Sequence, residues 1–277
     1  MNSKEDYAAF SDRLYDYCHY EYKPACKIKN KLKSISLLKN SFEFVSKSKK
    51  LYLFVEWIRS KLGVDNTVWG IKNFNGKIKW EFYFYNWNKE NKQITMSNFL
   101  KISERFFSNK ITPNENIPYF MFSVDICEEL FERKMIEGIH VYVGSSYYLD
   151  NKGMTLENNY TFYNPKEKMK ELVKDIKKSA MVDFTVTKLL DILWPELIHC
   201  HTICYANKQT CDGIYFSRID IDQFLYFLIK LEYPESLISF IKKNKQRLNH
   251  LYYDVGFDFK TENGKLEILK SGYYGTF

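Results

Sequence analysis

The sequence predicts an α+β fold: an antiparallel sheet of about ten strands closed into a barrel inside a jacket of helices. Three observations predict it. Residues 77–85 place Ile78, Trp80, Phe82 and Phe84 on one strand face, and Lys77, Lys79, Glu81, Tyr83 and Tyr85 on the other. The apolar face needs a cover of helices, and the other suits the wall of a polar, aromatic cavity. Helical and paired-strand patterns then alternate along the chain as repeated α-α-β-β units, which fits one sheet with every helix on the same side. Finally, Asn75-Gly76-Lys77-Ile78 and Asn263-Gly264-Lys265-Leu266 hold matching places in the first and last hairpins, a faint internal repeat. Closure removes the edges that an aromatic-rich sheet would expose. An open antiparallel sheet with helices on one face is the alternative.

Each element has its own signal. Tyr7, Phe10, Leu14 and Tyr15 lie near helical spacing and predict a short helix over 5–20, followed by a basic, irregular stretch over 21–35. A helical region over 37–62 stops at Gly63. Strands over 68–74 and 77–86 flank Asn75-Gly76, a strong short hairpin signal. Ser97 caps a helix reaching 107, strands follow over 119–126 and 138–144, and 128–136 makes one or two helical turns. Residues 145–159 are Gly- and Asn-rich and read as a loop before a short strand over 160–163. Pro165 opens a helix to 180, and a second runs over 185–193. Strands over 198–206 and 213–218, helices over 220–231 and 234–248, and strands over 251–260 and 265–274 complete the chain. Residues 1–36 thus form an N-terminal helix and basic linker, and 37–277 a single barrel-like domain.

The net charge of +7 comes from lysines spread along the chain, with short clusters at Lys27 to Lys33 and Lys47 to Lys50. That pattern fits a solvated surface better than a nucleic-acid stripe. The aromatic fraction of 18% exceeds what packing alone needs, and many tyrosines sit opposite apolar strand positions. No apolar run is long enough to span a membrane, so no membrane partner is expected. Residues 1–6 are polar, which predicts no signal peptide, and six irregularly spaced cysteines predict reduced thiols in a cytoplasmic setting.

This element order with Tyr/Lys strand faces resembles the ABBA (PT-barrel) aromatic prenyltransferases. The likeness rests on residues 77–86, on Phe120-Met121-Phe122-Ser123-Val124-Asp125, and on Asp254-Val255-Gly256-Phe257-Asp258-Phe259 followed by Asn263-Gly264-Lys265-Leu266-Glu267-Ile268. The resemblance implies a ten-stranded barrel that binds an allylic diphosphate (dimethylallyl or geranyl) and an aromatic small molecule or peptide in its lumen. Such an enzyme surrounds the leaving diphosphate with cations and phenols, because charge develops there. It shields the allyl cation with aromatic faces and orients the acceptor with a carboxylate that takes its proton. On this reading Lys79, with Lys208 and Arg218 ranked below it, and Tyr142 bind diphosphate. Tyr83, Tyr85, Tyr215 and Tyr273 shield the cation, and Glu81 or Asp125 serves the acceptor. Strand alternation groups Arg218 with Ile214 and Phe216, against an inward position. No Asp-Asp-x-x-Asp motif occurs; no cofactor is required, and magnesium is optional.

Other motifs point elsewhere. His199, Cys200, His201, Cys204 and Cys211 invite a zinc reading, but on a strand the two histidines face away from Cys200 and Cys204. Asp254 and Asp258 share a strand face about 13 Å apart. They need a partner such as Glu267 to hold a metal, which would give a metal-dependent phosphoryl transferase or nuclease. A non-catalytic module for single-stranded nucleic acid or another ligand is the remaining alternative, and it requires the Tyr/Lys face to be open. P-loop, Rossmann and Gly-x-Ser-x-Gly signatures are absent from the sequence.

Overall fold

The computed structural model describes residues 5–45, 48–87 and 90–277. The first four residues of the polar N-terminal stretch and Lys47 of the Lys47 to Lys50 cluster lie outside the described residues. Ten strands close into a barrel. They are β1 (Thr67–Phe74), β2 (Lys77–Tyr85), β3 (Met121–Ile126), β4 (Gly138–Tyr142), β5 (Ser145–Asp150), β6 (Gly153–Tyr163), β7 (Thr202–Lys208), β8 (Asp212–Ile219), β9 (Tyr253–Glu262) and β10 (Lys265–Thr276). Spatial order equals chain order, neighbours run antiparallel, and β10 pairs back onto β1. The sheet has no free edge, so the open-sheet alternative does not hold.

The apolar strand faces make the outer core, as the alternation in β2 predicts. Ile78, Trp80, Phe82 and Phe84 are all buried. Trp80 meets Phe42 edge-on at 5.7 Å and donates its indole N–H to Ser41 Oγ at 2.8 Å. Phe82 packs on Phe54 of the helix Ser48–Leu62, and Phe84 on Phe99 of the helix Met96–Ser103. Across the barrel, Trp194 stacks on Phe257 at 4.6 Å, and Phe224 of the helix Ile221–Lys230 packs against Tyr253 at 4.2 Å. Each such burial is worth about 1.5–3 kcal/mol. Among the described residues, no helix is long and apolar enough to cross a membrane.

Several elements differ from expectation. Residues 5–20 hold no helix; Leu14–Tyr15 and Glu21–Tyr22 pair as a small ribbon instead. Tyr7 and Phe10 are exposed, so the helical spacing has no core to serve. The Asp16 carboxylate accepts the Cys18 and Tyr20 N–H groups and closes a tight turn in its place. Residues 145–159 are strand, supplying β5 and most of β6. The helical region 37–62 divides into Ile35–Ser41, the 3-10 turn Phe42–Phe44 and Ser48–Leu62. The helix at Pro165 contracts to Met169–Ile176, and 185–193 keeps only the 3-10 turn Leu189–Asp191. Thr95 rather than Ser97 caps Met96–Ser103, accepting the Asn98 N–H.

The two ends of the barrel differ. Short turns at 75–76, 151–152, 209–211 and 263–264 gather at one mouth. The long connections 86–120, 164–201 and 220–252 leave from the other. The N-terminal ribbon crosses that second mouth.

Candidate functional site: a lumen in two halves

The interior strand faces enclose two joined cavities. One, of about 600 Å³, opens at the short-turn mouth and is lined with charge. The other, of about 460 Å³, lies under the N-terminal ribbon and is lined mainly by aromatic side chains. Both touch the same five tyrosines: Tyr83, Tyr142, Tyr160, Tyr215 and Tyr274. These come from β2, β4, β6, β8 and β10, one from every second strand. Their ring centroids stand 6.0–6.4 Å apart for the pairs Tyr274–Tyr83, Tyr83–Tyr142, Tyr142–Tyr160 and Tyr215–Tyr274. The result is a belt of phenols around the waist of the lumen. Glycine makes room for it: a Cβ on Gly256 would stand 2.2 Å from Tyr215 Cδ1, and one on Gly70 would stand 2.9 Å from Tyr274 Cδ1.

In the charged half, ion pairs form two clusters. Lys72 on β1 joins Glu81 and Asp125, which oppose each other across β2 and β3. Glu81 also accepts from Ser123 and Tyr83. Burial works against the charge on Lys72, but the two carboxylates outweigh it and hold its pKa well above the ordinary lysine value. Glu81 and Asp125 are pulled low by the same lysine despite burial. His140 contacts Asp125 at 3.3 Å and Glu157 at 2.7 Å. Burial alone would lower its pKa; these hydrogen bonds and the Glu81 charge reverse that and raise it to about 10.

The second cluster is short of negative charge. Lys208 and Lys270 share one carboxylate, Asp258, at 2.8 and 3.0 Å. The Tyr215 hydroxyl donates to the same carboxylate at 3.2 Å. Burial and the neighbouring Lys208 ammonium push the Lys270 pKa down. Its side chain keeps 27% of its surface accessible, against 9% for Lys208. Lys270 therefore faces the cavity as the least neutralised cation of the pair.

Glu81, Asp125 and His140 bring ligand atoms within 4.8 Å of one another, the one such group among the described residues. It does not suit a resident ion. The Lys72 ammonium already bridges the two carboxylates, and an ion there would have to displace it.

The apolar half has the opposite imbalance. Asp254 accepts from Ser217 Oγ at 2.6 Å, the Arg218 N–H at 3.0 Å and the Tyr17 N–H at 2.8 Å. Burial, then the charge of Asp16, raises its pKa to about 7. The Arg218 guanidinium binds Asp16 at 2.8 Å. One guanidinium thus serves a region with two buried carboxylates.

The positions expected from sequence divide as follows. Glu81, Asp125, Lys208, Tyr83, Tyr85, Tyr142 and Tyr215 all line the lumen. Lys79 stands at the rim with its ammonium 5.0 Å from the Phe74 ring centroid, and Lys72 opposite it supplies the interior cation. Tyr273 lies outside, packed against Trp69, Phe224 and Tyr233 beneath the helices. A register shift between Asp258 and Phe259 in the β9–β10 ladder turns Tyr274 inward instead. Arg218 comes inward, against its strand parity, because β8 is irregular between Phe216 and Ile219 and Arg218 adopts φ 60°. Asp254 and Asp258 face opposite halves of the lumen, and Glu267 pairs with Lys265, so no three-carboxylate centre assembles. The cysteines and histidines of 199–211 form no ligand group among the described residues.

Lys72, Lys270, Tyr160, Tyr274 and Tyr17 were missed. The Asn75-Gly76 hairpin register already sets Lys72 opposite Lys79 and so on the same face. Tyr17 had no signal of its own, because a helix was expected there.

Neither a scan of protein-family models nor a search of curated proteins finds a match to this chain.

Proposed function

We propose that the barrel is an aromatic prenyltransferase, moving an allylic group from its diphosphate to an aromatic acceptor inside the lumen. The observation that carries the reading is the split chamber: an under-neutralised lysine pair on one side of a tyrosine belt and an apolar pocket on the other. A ligand with an anionic head and a hydrocarbon body fits that division. The diphosphate seats at Lys208 and Lys270, with Lys72 behind. The allylic C–O bond breaks with its electron pair going to the diphosphate oxygen, which the lysines stabilise as charge develops. The belt faces the allyl cation with electron-rich rings and excludes water, each ring worth about 2 kcal/mol in a dry site. An acceptor carbon or heteroatom in the apolar half then bonds to the cation and loses its proton.

Glu81 and Asp125 are too tightly paired to take that proton; they fix Lys72 and His140. Asp254, raised to about 7, is the carboxylate suited to it. The lysines supply the positive charge, and magnesium is not part of this scheme. Because the tyrosine faces look into an enclosed lumen, the geometry favours a small ligand over a nucleic-acid strand. Incubation with dimethylallyl or geranyl diphosphate and a panel of phenols, indoles and aromatic peptides should give an acceptor mass gain and release of diphosphate. No product on any acceptor, together with no binding of inorganic pyrophosphate, overturns the proposal.

A further inference from the structure

The apolar half already holds an aromatic ring, and that ring belongs to the chain itself. The turn at 16–20 is closed by Asp16, which accepts the Cys18 and Tyr20 N–H groups at 3.0 and 2.9 Å. The turn drives Tyr17 down through the mouth of the barrel. Its ring lies 5.6 Å from Tyr274 and 6.3 Å from Tyr215, two members of the belt. Its hydroxyl is buried, with only the Cys18 and Cys204 thiols beside it as weak polar partners. A buried hydroxyl that meets only thiols is poorly satisfied, and a ring placed only to fill a core would be better as phenylalanine.

What holds Tyr17 in place is a small set of polar contacts to distant parts of the chain. Its N–H bonds to Asp254, its carbonyl accepts from the Tyr85 hydroxyl, and Asp16 pairs with Arg218. His19 stacks between Tyr15 at 4.4 Å and Tyr85 at 4.9 Å. The ribbon behind it pairs only Leu14–Tyr15 with Glu21–Tyr22. Such a strap can leave without opening the barrel ladder. While it is seated, it also occupies Asp254.

We propose that the strap 14–22 is a displaceable pseudosubstrate: Tyr17 fills the place against Tyr274, Tyr215 and Asp254 where the acceptor ring seats, and a phenol that reaches this place from the open cavity beside it must expel Tyr17. The inference deepens the prenyl-transfer reading and rests on it for the role of the occupant. It also names the acceptor class, a single aromatic ring bearing a hydroxyl. Departure of Tyr17 would uncover Asp254 beside the incoming ring, so entry and proton acceptance would be linked.

The test is binding of 4-methylphenol to the full chain by titration calorimetry. If the closed strap dominates, the apparent affinity is reduced by the small open fraction. Tyr17→Ala should then bind about tenfold more tightly or better. Asp16→Asn, which loses the charge paired with Arg218, should also bind more tightly than the parent chain. Tyr17→Phe keeps the ring and should bind no better than the parent. Saturating 4-methylphenol should speed hydrogen exchange at the Tyr17 amide. Equal or weaker binding by folded Tyr17→Ala overturns the proposal, since Tyr17 is then a wall and not an occupant. If that variant does not fold, an unchanged affinity in Asp16→Asn overturns it equally. Allylic-diphosphate turnover on the same proteins separates the two readings. Tighter phenol binding without turnover keeps the strap and removes the transferase; turnover without tighter binding does the reverse.

Discussion

The two halves of the lumen bury similar kinds of groups under opposite shortages. Toward the short turns, Lys208 and Lys270 divide one carboxylate, so positive charge is left over. Toward the N-terminal ribbon, Asp16 and Asp254 have one guanidinium near them, so negative charge or a proton must be accommodated. The difference sets a direction for any ligand spanning the belt: its anion belongs at the first end, and a proton it sheds belongs at the second.

The largest expected effect breaks the tightest part of the charged half. Lys72→Met leaves Glu81 and Asp125 facing each other with no bridging ammonium and should cost about 3–5 kcal/mol in urea unfolding. Lys270→Met should behave differently, because Asp258 keeps Lys208. Its stability should change little, while pyrophosphate binding weakens by about 1.5–3 kcal/mol, tenfold or more in titration calorimetry. If both lysines proved equal in stability and binding, the distinction between a structural and a ligand-facing cation would fail. At the waist, Gly256→Ala would press a methyl group into Tyr215 and to within 2.8 Å of the Ile214 carbonyl. A loss of about 1–3 kcal/mol by thermal unfolding is expected.

The pH dependence divides into two windows, one per half. His140 is raised to about 10 from an ordinary 6.5. Its protonated ring stabilises the fold fully below about pH 6.5, and that support is lost as pH climbs toward 10. Asp254 is raised to about 7 from 3.8, so the native state holds a proton that the unfolded chain releases. Stability should therefore fall as pH rises from about 4 to about 7. In denaturant titrations across pH, His140→Gln should flatten the first window alone and Asp254→Asn the second alone. Flattening of both by either variant would show the halves to be electrically coupled through the belt.

Much of the architecture was legible because alternation and turn chemistry are local. The face assignment of β2 and its Asn-Gly turn required only neighbouring residues, and from them came Glu81, Tyr83, Tyr85 and the helix-covered side. The order of elements allowed a closed barrel or an open sheet, and the ladder from β10 back to β1 decides for the barrel. What failed was whatever depended on a ladder irregularity. One extra residue near Leu269 exchanges the faces of Tyr273 and Tyr274, and an irregularity in β8 brings Arg218 inward. Neither leaves a mark in composition. The tenth strand hid for another reason: Gly153, Asn158 and Asn159, with Asn151 at the turn, read as loop, yet the ladder from β5 to β7 fixes the residues on either side of 151–152 as strand. Tyr160 stood inside the expected short strand over 160–163 but was not singled out as a lumen residue. The N-terminal strap was misread because its order comes from contacts with residues more than 200 positions away, at Asp254 and Arg218.

The mouth on the charged side is rimmed by three hairpins with turns of just two residues, at 75–76, 151–152 and 263–264, by the turn 209–211 and by the longer connection 127–137 with its helical turn Leu130–Arg133. Hydrogen-bonded ladders run right up to these turns, which leaves little there to swing shut. Where these turns form the rim, the orifice cannot sort its visitors by closing on them. Traffic through it must instead be governed by the field of the lysines inside, so capture of an anion from solution should slow steeply as added salt screens that field.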